Sequence, residues 1–212
     1  QKRYLTIDDQ ITLLEEKGLN IVNKKFAKQA LSQIGYYKLV NAYKFPFIEL
    51  CDQNGRYLPN VNFEHLYHLY QFDLQLETIV FKATTSAEIE LKAHLSDLIS
   101  GKYGISPTKY LNASNYLPQN NAGMDFKDFK REFNKQIRVQ EDKHPAIIWY
   151  KEKYNGSFPF WVISNILTIG NISKLYSFLK PEDKTIISRA YKLNPQDLAT
   201  FIVHINHIRN IC

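Results

Sequence analysis

The chain has 212 residues, of which 44% are hydrophobic and 14% aromatic, with 27 Lys and Arg against 21 Asp and Glu and a net charge of +6. That length and apolar content can bury the core of one domain or two small ones and exclude a disordered or fibrous chain. The positive balance favours a polyanionic partner. The two cysteines, Cys51 and Cys212, belong to no Cys-x-x-Cys or Cys/His array, so a disulfide framework or zinc site is not expected and a reducing cytoplasm fits best. No apolar run reaches the ~18 residues of a membrane span, and the N-terminus lacks the apolar core of a signal peptide.

The first third reads as short helices. Thr6-Ile7-Asp8-Asp9 has the form of a capping box, followed by Ile7, Ile11, Leu13 and Leu14 at helical spacing and a stop at Gly18. Asn23 caps a second stripe, Phe26, Ala27, Ala30, Leu31 and Ile34, which ends at Gly35. Residues 36–43 continue as a short aromatic helix limited by Pro46. Residues 51–62, with Asn54-Gly55 and Pro59, read as an exposed loop or a small β-hairpin.

From Phe63 to about Lys102 the apolar residues recur at helical spacing. Leu66, Leu69, Tyr70, Leu74, Ile79, Val80, Ala83, Ala87, Leu91, Leu95, Leu98 and Ile99 form the stripe, Asn62 is the candidate cap, and Gly101 and Gly104 are the stop. A bend is expected at Thr84-Thr85-Ser86, whose hydroxyls compete for backbone hydrogen bonds. Glu90 and His94 lie one turn apart and can pair, whereas Asp73 and Glu77 at the same spacing repel. The polar segment between Tyr103 and Asp125 reads as a mobile connector.

Residues 125–141 return to helix. Phe126, Phe129, Phe133 and Ile137 mark one face, and Lys130, Arg131 and Lys135, with Lys127 and Arg138, line the other as a stripe that can track phosphates. Helices follow from His144-Pro145 to Asn155-Gly156, from Pro159 with Trp161 as a core anchor, around Gly170 where close helix approach is expected, and from Pro181 with Ile186, Ile187 and Tyr191 inward. Asn194-Pro195 caps the last helix, in which Ile202 or Val203, Ile205 and Ile208 face inward and His204, His207, Arg209 and Asn210 fill the remaining faces. A guanidinium beside an Asn and an imidazole suits a phosphate, although cations at a helix C-terminus also answer the macrodipole. The expected fold is all-α, a multi-helix bundle with a long central helix and a small helical N-terminal region. It is read as one domain over 1–212, with 1–62 and 63–212 as the alternative subdivision.

Several of these stretches carry a resemblance. Arg209-Asn210-Ile211-Cys212 resembles the start of the Arg-Asn-x-x-x-His signature of the HEPN superfamily, in the form found in bacterial abortive-infection (Abi-like) proteins. The Gly-Tyr-Tyr-Lys-Leu run from Gly35, Phe72-Asp73-x-x-Leu76, Ile89-Glu90, Pro159-x-Trp161 and Gly170-x-x-Ser173-x-Leu175-Tyr176 are similar to the same family. Glu77 and His94 stand where the family has basic residues, and Asn165 where it often has Glu.

The resemblance implies a HEPN-like bundle and a metal-independent endoribonuclease of prokaryotic antiviral defence, which needs no cofactor and pairs two motifs across a homodimer. By the same resemblance Arg209 binds the phosphate, Asn210 orients it, and a His serves as general acid or base. Lys130, Arg131, Lys135 and His207 are the substrate-binding candidates, and Asp73, Glu90 and His94 the supporting ones. The chain ends at Cys212, two residues before the position of the motif His, so as given it is expected to bind RNA and dimerise without cutting. An antitoxin partner is part of the same expectation. The alternative is a non-catalytic RNA- or protein-binding dimerisation module.

Overall fold

The computed structural model describes residues 4–49, 54–140 and 142–211. The readings that involve Cys51, Glu141 and Cys212 lie outside them. The described residues form helices and isolated β-bridges without strands, so the fold is all-α, and the chain divides into two compact units, residues 1–79 and 80–212.

In the first unit, α1 (Ile7–Glu16) opens with the expected box: the Thr6 hydroxyl oxygen accepts from the Asp9 N–H at 3.2 Å, and the Thr6 N–H donates to Asp9 Oδ2 at 3.0 Å. In α2 (Lys24–Ile34) Asn23 Oδ1 accepts from the Phe26 N–H, and Gly35 leaves the helix at φ +88°, a conformation open to glycine. The expected aromatic helix is a single π turn, Tyr37–Asn41, in which Leu39 and Val40 are buried and Tyr37 points to water. The loop after it begins and ends as a minimal hairpin, with Ile48 bridged to Tyr57 and the Leu58 N–H donating to Phe47 O. Ile11, Leu14, Leu31, Leu39, Tyr57, Phe63 and Leu66 close this unit's core.

Phe63 begins α3 (Phe63–Tyr103), 41 residues without a break. Helical hydrogen bonding continues through Thr84–Ser86, the place of the expected bend. Thr84 donates to Phe81 O and Ser86 to Lys82 O, so both hydroxyls bond back onto the preceding turn and leave the helical ladder intact. Between Gln71 and Ala83 no α3 residue is buried, and Phe72, Leu74, Leu76 and Ile79 are exposed although they continue the apolar pattern.

The second unit holds α4 (Pro107–Tyr110), α5 (Phe126–Gln140), α6 (Pro145–Tyr154), α7 (Phe160–Ile163), α8 (Ile169–Phe178), α9 (Pro181–Ala190) and α10 (Pro195–Ile211). α10 packs on α8 and α9, and α5 packs on α8. The α5 stripe is as read: Phe126, Phe129, Phe133 and Ile137 are all buried, each stabilising by about 2 kcal/mol. Leu91, Leu95 and Ile99 from α3 enter the same core. Asn194 caps α10, its Oδ1 accepting from the Gln196 and Asp197 N–H groups at 3.0 and 2.8 Å.

Four expectations are corrected here. The segment from Tyr103 to Asp125 is tied into the core rather than free: Tyr110, Leu111 and Tyr116 are buried, Tyr116 stacks on Phe126 at 4.4 Å, and the Leu117 N–H donates to Phe178 O. Trp161 is 44% exposed and its neighbour Phe160 is the anchor, because the first turn of α7 is rotated one residue from the reading. Gly170 is not demanded by close approach, since a Cβ there would meet Thr168 Oγ1 at 3.6 Å and Asn206 Oδ1 at 3.7 Å, ordinary contacts. Ile186 and Ile208 face outward, while Ile187, Ile202 and Ile205 are buried. Among the described residues no helix is long and apolar enough to cross a membrane.

Candidate functional site

α3 turns one charged side chain into the core of the second unit. Glu88 occupies a position in the stripe Thr84, Glu88, Leu91, Leu95, Ile99 and is only 5% exposed. A carboxylate there requires counter-charges, because burial removes the water that would otherwise stabilise it. Two are present. Lys92, one turn further along α3, places Nζ 2.7 Å from Glu88 Oε1, and Arg209 from α10 places Nη1 2.6 Å from Glu88 Oε2.

Both oxygens are held by close ion pairs, and Oε2 is fully buried. The guanidinium also lies 5.9 Å from the Phe81 ring centre, a cation–π distance. Arg209 is thus held on one side by carboxylate and ring, with about a third of its side chain (32%) still open to solvent. A guanidinium has five N–H donors, so those turned away from Glu88 remain available to an anion.

The other candidates fall in different places. Asn210 and His207 are exposed; His207 lies two residues from Arg209, about 200° around the helix, and does not share its face. His94 Nε2 is 3.6 Å from Glu90 Oε1, both partly exposed, and the imidazole meets Tyr191 edge-on at 5.6 Å. Burial, with the Glu90 charge adding to it, pushes the Tyr191 phenol up to about 12. Asp73 belongs to the first unit and accepts a 2.6 Å hydrogen bond from the Tyr43 hydroxyl. Burial and that bond push the Tyr43 phenol up to about 12.

On α5, Lys127, Lys130, Arg131, Lys135 and Arg138 line one surface with Asn134. Lys130 donates to Leu111 O at 2.9 Å and Arg131 pairs with Asp128 at 2.9 Å, while Arg131 and Lys135 are both exposed. Among the described residues no group of three His, Cys, Asp or Glu side chains converges as a metal site would require.

The family model for Abi-like proteins matches residues 29–212. The chain belongs to the Abi-like protein family. The match begins within α2 and takes in Glu88, Lys92 and Arg209, so the whole charge cluster lies in the Abi-like part of the chain. No curated protein and no solved structure matches it.

Glu88, Lys92 and Phe81 escape a reading that follows apolar residues alone. The signal is there nevertheless: a Glu at a core position of an apolar stripe, with a Lys one turn on, marks a buried charge that needs more than its own helix to neutralise it. Sequence periodicity supplies the demand, and only the packing of α10 names Arg209 as the answer.

Proposed function

We propose that this Abi-like protein acts on RNA in prokaryotic antiviral defence, with Arg209 as the residue that binds the phosphate. The observation that carries this reading is the setting of Arg209: its guanidinium is oriented by Glu88 and Phe81, and its outer face is open. An arginine fixed in this way presents donors to a phosphate without first losing side-chain entropy. The net charge of +6 favours the same partner.

The chemistry is that of the HEPN resemblance. A base removes the proton of a ribose 2′-hydroxyl and the oxygen attacks the adjacent phosphorus to form a 2′,3′-cyclic phosphate; the bond from phosphorus to the 5′-oxygen breaks, an acid protonates that leaving oxygen, and Arg209 stabilises the charge that grows on the phosphoryl oxygens. Asn210, next to Arg209, is the orienting amide. The motif's His, at a position two residues past Cys212, would be the acid or base.

Labelled single-stranded RNA at low salt tests the reading, with the DNA of the same sequence as the control that lacks the 2′-hydroxyl. Binding by this chain, and cleavage of RNA but not DNA by the full product of its reading frame, are expected; Arg209→Ala should abolish the cleavage. Full cleavage by Arg209→Ala would remove Arg209 from the mechanism.

A second reading, a dimerisation module without catalysis, draws on the exposed Ile208 and Ile211 that flank Arg209 on α10, the latter 80% exposed. Exposed aliphatics beside a charged site suit a second copy of the chain. Sedimentation of the Ile208→Asp variant separates the readings. A dimer lost together with cleavage supports a composite active site, whereas a dimer in a protein that never cuts RNA supports the module.

A further inference from the structure

Next to the Arg209 cluster, α3 and α7 enclose a groove of about 420 Å³. Ile89, Lys92 and Ala93 line it from α3, with Ser96 one turn further along; Trp161, Ser164 and Asn165 line it from the other side. Its chemistry is mixed in a particular way. Trp161 is 44% exposed and Ile89 63%, so one flat aromatic and one aliphatic surface are wet. Ser96 and Ser164 are buried, with their hydroxyl oxygens 3.3 Å apart. The Asn165 amide nitrogen donates to Trp161 O at 2.9 Å, and its carbonyl oxygen makes no hydrogen bond among the described residues. Lys92 belongs to both places, lining the groove and pairing with Glu88, which in turn faces Arg209.

We infer that this groove receives one nucleobase of a single-stranded RNA whose phosphate lies on Arg209. A base is flat and apolar on its faces and polar on its edge, and the groove offers a match for each part. Trp161 provides a stacking surface opposite aliphatic Ile89, Asn165 Oδ1 accepts from an exocyclic amino or ring N–H, and the excess positive charge of Lys92 and Arg209 over the single Glu88 carboxylate suits the adjoining backbone. The core does not require Trp161. Phe160, one residue earlier, already fills the core position. Every base presents an N–H at its edge but at a different position on the ring, so a fixed Asn165 acceptor selects by where that donor falls and the groove is a source of base preference rather than of affinity alone. This inference rests on the RNA reading of Arg209 and adds a specificity site to it.

Tryptophan fluorescence tests it directly. The chain has two tryptophans, and Trp149→Phe leaves Trp161 as the reporter. Adenine, cytosine, uracil and guanine hexaribonucleotides, an abasic hexamer of the same charge, and inorganic phosphate are titrated in turn. Base-bearing RNA is expected to quench Trp161, with differences among the four bases, while the abasic strand and phosphate leave it unchanged. In the otherwise unaltered chain, Trp161→Ala should weaken base-bearing RNA by about five- to a hundredfold, spare the abasic strand, and be largely rescued by Trp161→Phe. Asn165→Ala should flatten the base preference.

The groove assignment is overturned if Trp161 is silent at saturating RNA, or if Trp161→Ala weakens the abasic strand equally. It is also overturned if the emission changes with protein concentration alone, which would mean that a second copy covers the indole. Arg209→Ala keeps the two ideas apart. Loss of abasic binding supports the phosphate site, with the groove decided by Trp161 in the protein that keeps Arg209; quenching that survives with unaltered abasic binding supports the groove and removes the phosphate site.

Discussion

Glu88 and Asp183 are both carboxylates sealed inside the second unit, 5% and 0% exposed, and they hold different partners. Each oxygen of Asp183 has a donor: Lys102 serves Oδ1 and the Tyr103 hydroxyl serves Oδ2. Glu88 has Lys92 on one oxygen and the Arg209 guanidinium on the other. A saturated carboxylate locks elements together and has nothing further to offer. One whose cation keeps donors open to solvent orients that cation and leaves it able to meet an anion. Burial alone therefore does not distinguish a brace from a site, whereas the donors left open on the partner cation do.

The comparison can be broken by removing each acid. Asp183→Ala should cost the most stability, about 3 kcal/mol, because it strands Lys102 and the Tyr103 hydroxyl, with no change in RNA affinity for the protein that remains folded; thermal denaturation followed by a binding titration checks both halves. Glu88→Gln should cost less, about 1–2 kcal/mol, since Arg209 and Lys92 reach solvent, yet weaken RNA binding severalfold even though it makes the site more positive. A rise in affinity would mean that the number of charges, not the orientation of Arg209, decides binding.

The paired change Arg131→Gln with Lys135→Gln should move stability by less than about 0.5 kcal/mol and lower affinity only about threefold, with a shallower salt dependence. An effect as large as that of Arg209→Ala would make α5 the principal interface. Smallest of all, Gly170→Ala should stabilise α8 by up to about 1 kcal/mol, because alanine is the better helix former and its methyl fits the space at Asn206. Destabilisation would show that α8 and α10 sit closer than their contacts indicate.

What could be read from the sequence was local. The Thr6 box, the Asn23 and Asn194 caps, the stop at Gly35 and the four buried positions of α5 are each written in residues within a turn or two of one another, where propensity and periodicity act. The 41-residue α3 was legible as a long helix, but which carbonyl each of the Thr84 and Ser86 hydroxyls bonds was not.

The site was half legible. Arg209 stands out by its neighbours in sequence, whereas the meeting with Glu88 joins residues far apart in the chain, and no periodicity within one helix foretells which distant cation will neutralise a buried acid. Trp161 was misplaced for a related reason: at the start of a one-turn helix a rotation by one residue exchanges core for surface, and Phe160 satisfies the apolar pattern equally well.

The tyrosines of the second unit set an alkaline limit on it. Tyr110 donates its hydroxyl proton to Phe158 O, Tyr103 to Asp183, and Tyr116 is buried against Phe126. Burial raises all three phenols well above their ordinary value of 10.0, with Asp183 adding to Tyr103, and raises Tyr176 to about 12. A phenol whose folded pKa is raised adds stability that is complete below its unfolded value, about 10, and that stability drains away as the pH climbs from there toward the folded value. These rings should therefore stay un-ionised as long as the unit is folded. They should then lose their protons together as the unit unfolds, so that its end in base is abrupt, a single collective ionisation in place of a series of independent ones.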